Sequence, residues 1–231
     1  MAIISSHLQW NQPLVNALGK AGDPSKQLGM EKYMRFQFPF YGVQAPLRKE
    51  IVKGHLATQE PISSNEMLIE ICKDLWLGPQ SKREATYAAM DILGKSKKCW
   101  NTSTIDTIEQ LGVLQSWWDT VDGLVIAGVG PYFQLFPSGM ESKTNAWNSS
   151  KNIWLKRWSV IFQLGYKEKT NEALLFHYIT NLKDEKEFFV AKGIGWALRQ
   201  YARTNPKAVQ KFVKGTQLQP LSKREALKHL I

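Results

Sequence analysis

Helix-start signals recur along the whole chain, while no pair of alternating β-branched runs is joined by a tight turn, and that contrast restricts the sequence to an all-α fold. Four spacings fit the capping box, in which each side chain takes the other's free backbone N–H: Ser63 with Glu66, Ser81 with Glu84, Ser116 with Asp119 and Ser222 with Glu225. Asp23-Pro24 and Asn205-Pro206 read as an N-cap followed by proline at the first helical position, where the N–H would be unpaired anyway. Glycine and proline punctuation, as at Gly19, Pro39, Gly42, Pro46, Gly78, Gly94, Pro137 and Gly165, divides the chain into roughly a dozen helices. No low-complexity linker interrupts it, so residues 1–231 are expected to form a single helical-repeat domain.

Trp118, Arg157 and Trp196 lie at successive intervals of 39 residues, each within a helix rich in aromatics. That interval suits HEAT or armadillo units of paired helices, which repeat about every 40 residues. The expected architecture is therefore an α-solenoid, and equivalent positions of its repeats would line up along one concave face.

The net charge of +10 is unevenly placed. Residues 1–150 hold 14 Lys/Arg against 14 Asp/Glu, whereas residues 151–231 hold 16 against 6. A one-sided excess points to a polyanionic partner. Nucleic acid is favoured over a membrane, because no single amphipathic helix concentrates the cations and long apolar anchors are missing. The longest apolar stretch, residues 124–133, contains glycines and Pro131 and is too short to span a bilayer. Two cysteines, Cys72 and Cys99, make no disulfide framework or zinc-like cluster, and no export signal is evident at the N-terminus. A soluble protein of a reducing, intracellular compartment is expected: cytoplasm or nucleoid, or nucleus in a eukaryote.

Three helices carry the candidate chemistry. On the helix from Phe188 to Arg203 a wheel at 100° per residue puts Val190, Ile194, Ala197, Leu198 and Tyr201 on an apolar stripe. Lys192, Trp196, Arg199 and Arg203 fall on the opposite side, a mixture of cations and an aromatic ring suited to phosphates and sugars. On the helix starting near Ser116, Asp119 has a capping role, but Asp122 projects between Trp118 and Val125, Ile126 and Val129. A carboxylate in apolar surroundings is costly unless a cation meets it. Arg157 is the matching case: it sits between Ile153, Val160 and Leu164, away from the polar strip of Lys156, Ser159 and Gln163. Two readings remain open at this point, a structural ion pair between Arg157 and Asp122, or a functional site in which Arg157 grips a phosphate and Asp122 faces a cationic substrate. No GxxxxGK[ST], GxGxxG, HExxH or GxSxG is present, and His7, His55, His177 and His229 form no spaced cluster, so nucleotide, zinc and serine-hydrolase chemistry are disfavoured.

Several long motifs, taken together, resemble the bacterial AlkD-type DNA alkylation repair enzymes, HEAT-like DNA glycosylases specific for alkylpurines. They are YMRFQFPFYG at 33–42, SWWDTVD at 116–122, NIWLKR at 152–157, EFFVAKGIGWALR at 187–199 and LSKREALKH at 221–229. The resemblance implies a right-handed α-solenoid of HEAT-like antiparallel helix pairs, with a site of two tryptophans, an aspartate and an arginine at Trp118, Trp196, Asp122 and Arg157. It places backbone contacts to DNA at Tyr33, Lys156 and Arg199, to which the helix wheel adds Lys192 and Arg203. It further implies a monomer that acts on alkylated double-stranded DNA without cofactor or metal, hydrolysing the N-glycosidic bond of cationic 3-alkyladenine or 7-alkylguanine. The sequence departs from the family pattern at QAPLRK, 44–49, where Ala45 and Leu47 replace the more usual Thr and Glu. That departure affects one minor DNA contact and leaves the chemistry in place.

Two other readings compete. A non-catalytic HEAT module would bind DNA or an acidic protein through the same basic face, since folds of this class usually serve as scaffolds. An RNA-binding helical repeat would need repeated base-reading side chains that the sequence does not show.

Overall fold

The computed structural model describes residues 6–228. His229, the last residue of the final motif, lies outside the described residues. Among the described residues every regular element is helical. The helices group into two compact units, residues 1–111 and 112–231.

The N-terminal unit contains α1 (Ser6–Lys20), α2 (Pro24–Tyr33), α3 (Ala45–Thr58), α4 (Asn65–Leu77) and α5 (Arg83–Lys95), followed by α6 (Thr104–Val113). Its densest pairing is α4 against α5, with α1 lying on α3 and α4. Leu14, Leu18, Val52, Leu68, Ile71, Leu75 and Trp76 are fully or almost fully buried between them. Trp10 of α1 packs on His55 of α3 as well: the two rings meet at right angles, 4.4 Å apart.

The second unit runs through α7 (Trp118–Leu124), a π-helical turn at Val125–Val129, α8 (Gly130–Leu135), α9 (Met140–Asn148), α10 (Ile153–Ile161), α11 (Glu172–Asn181), α12 (Phe188–Tyr201), α13 (Pro206–Gly215) and α14 (Pro220–Leu227). Helix α10 packs on α9 and α12, and α12 packs in turn on α14. The contact of α12 with α14 is close because Gly195 has no side chain; a Cβ there would collide with Glu225 and the carbonyl of Ser222. A cluster of Phe133, Trp147, Trp158 and Phe162 fills the unit's centre, with Trp147 and Trp158 edge to face at 5.3 Å. Each such ring is worth about 3–5 kcal/mol against truncation to alanine.

The caps differ from the sequence expectation in an instructive way. Asp23 and Asn205 do cap α2 and α13, each followed by proline at N1. The α4 cap is Ser64 rather than Ser63, its hydroxyl accepting from the Met67 N–H. At the other three proposed boxes the N-cap position falls to a different residue: Lys82 for α5, Trp117 for α7 and Gln219 for α14. Glu84 instead turns its fully buried carboxylate to the backbone N–H groups of Tyr41, Gly42 and Val43 at 2.8–2.9 Å. Ser116 bonds back to the Gly112 carbonyl. Ser222 lies inside α14 and donates to the carbonyl of Ala191 on α12, freeing Glu225 for Arg199. For Glu84 and Ser222 a tertiary partner outcompetes the local one, because a buried polar group must be paired and the nearest fixed partner wins, whereas Ser116 takes a carbonyl of the preceding turn.

Candidate active site

Asp122 lies in α7 one helical turn after Trp118, and the π turn begins three residues later at Val125. Trp118 and Asp122 therefore lie on the same face of α7. The wheel that placed Asp122 beside Ile126 fails here, since the π turn changes the register: Val125 and Val129 are buried while Ile126 is 65% exposed. Single π turns inside α-helices are frequently found at functional sites.

The partner that Asp122 requires is Arg157 of α10. Nε and Nη2 of Arg157 donate to Oδ1 and Oδ2 of Asp122, both at 2.8 Å, in a fork-on-fork pair. The third guanidinium direction is also used, with Nη1 donating to the carbonyl of Phe189 on α12. Arg157 is almost wholly buried, and its Cζ stands 5.7 Å from the ring centre of Trp196. Asp122, Arg157 and Trp196 are thus brought into one contiguous constellation, with Trp118 a turn away. Burial drives the Asp122 carboxyl above the usual aspartate range, opposed by the hydrogen bonds and charge of Arg157 and more weakly by the charge of Lys192.

Helix α10 is surrounded more completely than the sequence indicates. Its presumed polar strip is inside the protein: Ser159 accepts from Asn148, and Gln163 exchanges hydrogen bonds with the backbone of Asn171. Only Lys156 reaches outward, and it pairs with Glu185. Arg199 is likewise held by Glu225. Both acids have carboxyls lowered by the hydrogen bond from their cation. Lys192 is exposed and lies 5.5 Å from the Phe188 ring, one turn before Trp196. Arg203 is exposed just beyond the end of α12 and lines a cavity of about 230 Å³ with Gln163, Lys167 and Tyr201. Tyr33 ends α2 in the N-terminal unit and is 69% exposed.

Three features near Asp122 escape a reading of the sequence. Trp117, Trp154 and Phe189 form an aromatic cluster, with Phe189 5.3 Å from Trp117 and 4.9 Å from Trp154, and it fixes the carbonyl that Arg157 uses. Gly193 leaves room for the Arg157 side chain. Glu185 and Glu225 hold the two cations expected at phosphates. The EFFVAKGIGWALR motif contained the signal for the first two, two aromatics and two glycines flanking Trp196, but nothing local ties the acids to their partners. Among the described residues no group of His, Cys, Asp or Glu is arranged to hold a metal ion, and no helix is long and apolar enough to cross a membrane.

A family model described as DNA alkylation repair enzyme matches residues 14–230. A solved structure described as a predicted DNA alkylation repair enzyme from Enterococcus faecalis superposes with a TM-score of 0.82 at 30% identity, covering 90% of this chain and 96% of that one. No curated protein matches the chain.

Proposed function

The chain belongs to the DNA alkylation repair enzyme family, and we propose that its reaction is hydrolysis of the N-glycosidic bond of cationic alkylpurines, 3-alkyladenine and 7-alkylguanine, in duplex DNA. The observation that carries this reading is the Asp122 carboxylate, its side chain only 16% exposed, gripped from one side by Arg157 beside the Trp196 ring.

A purine alkylated at N3 or N7 already carries a positive charge. When its glycosidic bond breaks, the bonding pair goes to the base, which departs neutral and needs no general acid. The sugar is left with oxocarbenium character, and water adds at C1′ while losing a proton. One carboxylate suffices for both tasks: Asp122 stabilises the developing charge and orients the water, as a glycosidase carboxylate does. Trp118 and Trp196 hold the sugar, exclude bulk water and turn electron-rich faces to the cation. Arg157 is almost wholly buried and directs three of its N–H donors at Asp122 and Phe189, so in this scheme it keeps Asp122 ionised and aimed. Gripping a phosphate then falls to Lys192, Lys156, Arg199 and Arg203, with Tyr33 as a further backbone contact. A monomer suffices, since the four site residues come from one chain.

The closed Asp122–Arg157 pair favours a second reading, a non-catalytic DNA-binding module in which the two residues only support the fold. Incubation with methylated duplex DNA decides between them. The glycosylase releases free 3-methyladenine and 7-methylguanine, detected chromatographically; binding without release of any methylated purine leaves the module.

A further inference from the structure

The turn that follows α2 holds two consecutive non-glycine residues in left-handed backbone, Arg35 at φ 54° and Phe36 at φ 55°. For a bulky aromatic this conformation is strained, and it persists only where the surroundings impose it. The surroundings do impose it here. The N–H groups of Arg35, Phe36 and Gln37 donate to the carbonyls of Lys32, Glu31 and Met34, while Met34 and Phe40 anchor the turn in the core. Yet the ring so placed is not part of that core: Phe36 is 63% exposed, as is Tyr33 three residues earlier at 69%. Glycine or asparagine would occupy the same backbone at less cost, so the ring at position 36 is not explained by folding.

Its charge environment indicates what it meets. Residues 20–37 hold Lys20, Lys26, Lys32 and Arg35 against only Asp23 and Glu31. Both acids are engaged: Asp23 caps α2 and pairs with Lys26, and Glu31 accepts from the Phe40 backbone and Gln27. A turn in which exposed Arg35 stands in sequence between exposed Tyr33 and Phe36 supplies the cation and the apolar rings that the alternating phosphates and deoxyriboses of a DNA strand can meet.

We infer that Arg35 and Phe36 form a duplex-DNA contact of the N-terminal unit, Arg35 on a phosphate and the Phe36 ring laid against the neighbouring sugar. This rests on DNA being the substrate, as in the function proposed above, but requires no particular lesion or chemistry.

The two residues are tested separately on labelled, undamaged duplex by anisotropy across a range of salt. Phe36→Asn relieves the backbone and should raise the melting temperature by about 2–4 °C, while affinity falls about tenfold with the salt slope unchanged. Arg35→Gln should reduce the slope by about one. Wild-type affinity in Phe36→Asn overturns the inference. So does a lowered melting temperature, which would make the ring structural, or a dimer-to-monomer change in light scattering, which would make a second copy its partner. Base release from methylated duplex is followed in the same preparations. A wild-type protein that binds duplex but releases nothing sinks the glycosylase reading alone, and one that does not bind duplex sinks both.

Discussion

Gly193 lies against the Arg157 side chain so closely that a Cβ at that position would stand 3.1 Å from Nη1 and 3.3 Å from Cγ. Alanine is the better helix former by about 1 kcal/mol, so Gly193→Ala should leave the melting temperature unchanged or slightly higher. The guanidinium must nevertheless shift by a few tenths of an ångström, and its fork on Asp122 shifts with it. Single-turnover release of 7-methylguanine should fall about tenfold, since small misplacements of a catalytic group are costly, while affinity for undamaged duplex is retained. An unchanged rate would show that the position of Arg157 does not govern Asp122.

Lys156 and Arg199 do not wait as free cations for DNA; Glu185 and Glu225 occupy them. For these two cations to contact DNA as proposed, phosphates would have to displace the carboxylates. Replacing Lys156 and Arg199 together by glutamine should flatten the salt dependence of duplex binding by about two units, one per lost contact. Glu185→Gln and Glu225→Gln should act oppositely, each tightening binding by up to about fivefold, the worth of a partly exposed ion pair. Titrations at several salt concentrations check both, and a double variant with the wild-type slope would remove these cations from the interface.

These ion pairs also mark where sequence reasoning stops. The all-α class was legible because helix periodicity and capping chemistry are local. The pairing of Asp122 with Arg157 was legible as a requirement, because each charge sits among apolar neighbours on its own helix and neither can be buried alone. Whether the pair formed could not be read, since nothing in 35 residues of separation sets the approach of α7 to α10. The capping boxes misled for the complementary reason: Ser222 and Glu84 have the right spacing, but burial offered them fixed partners on other segments. The π turn after Asp122 has no spacing signature, so the wheel could not anticipate that Ile126 faces outward. Asn152 and Asn171 cap α10 and α11 without an acidic residue at the third position, which is why the box pattern passed over them.

His55 supplies a pH dependence unconnected with the site. It is buried against Trp10, with no hydrogen-bond partner for Nε2, and burial lowers its pKa below the ordinary 6.5. The unfolded chain therefore takes up a proton that the folded one refuses, and the stability present above about pH 6.5 is lost as pH falls through that value toward the folded pKa. Between about pH 7.5 and about pH 5.5 the melting temperature should drop more in the wild type than in His55→Phe, by about 2–4 °C. Equal drops would exclude His55 as the titrating group.

Asp122→Asn tests the mechanism most directly, provided stability and rate are measured together. The substitution keeps the shape and one acceptor but leaves the buried Arg157 charge without a counter-charge, and breaking a buried pair in this way costs about 3–5 kcal/mol. A lowered melting temperature is therefore expected whatever Asp122 does for catalysis, and it cannot decide the question. Excision per folded molecule can. If Asp122 stabilises the oxocarbenium ion, the single-turnover rate should fall about 100- to 1000-fold, the usual cost of one preorganised electrostatic contact. The loss should be largest for 7-methylguanine, whose glycosidic bond is the more stable, and smaller for 3-methyladenine, which needs less help. Binding to undamaged duplex should hold or improve, because one negative charge no longer opposes the phosphates. The wild-type rate carries an independent signature: it should decline as pH falls through the Asp122 pKa, which burial raises above the usual aspartate range, and the residual rate of Asp122→Asn should lack that decline. A variant that melts early yet excises both bases at the wild-type rate per folded molecule, with the same pH profile, would reduce Asp122 and Arg157 to a pair that only holds α7 against α10.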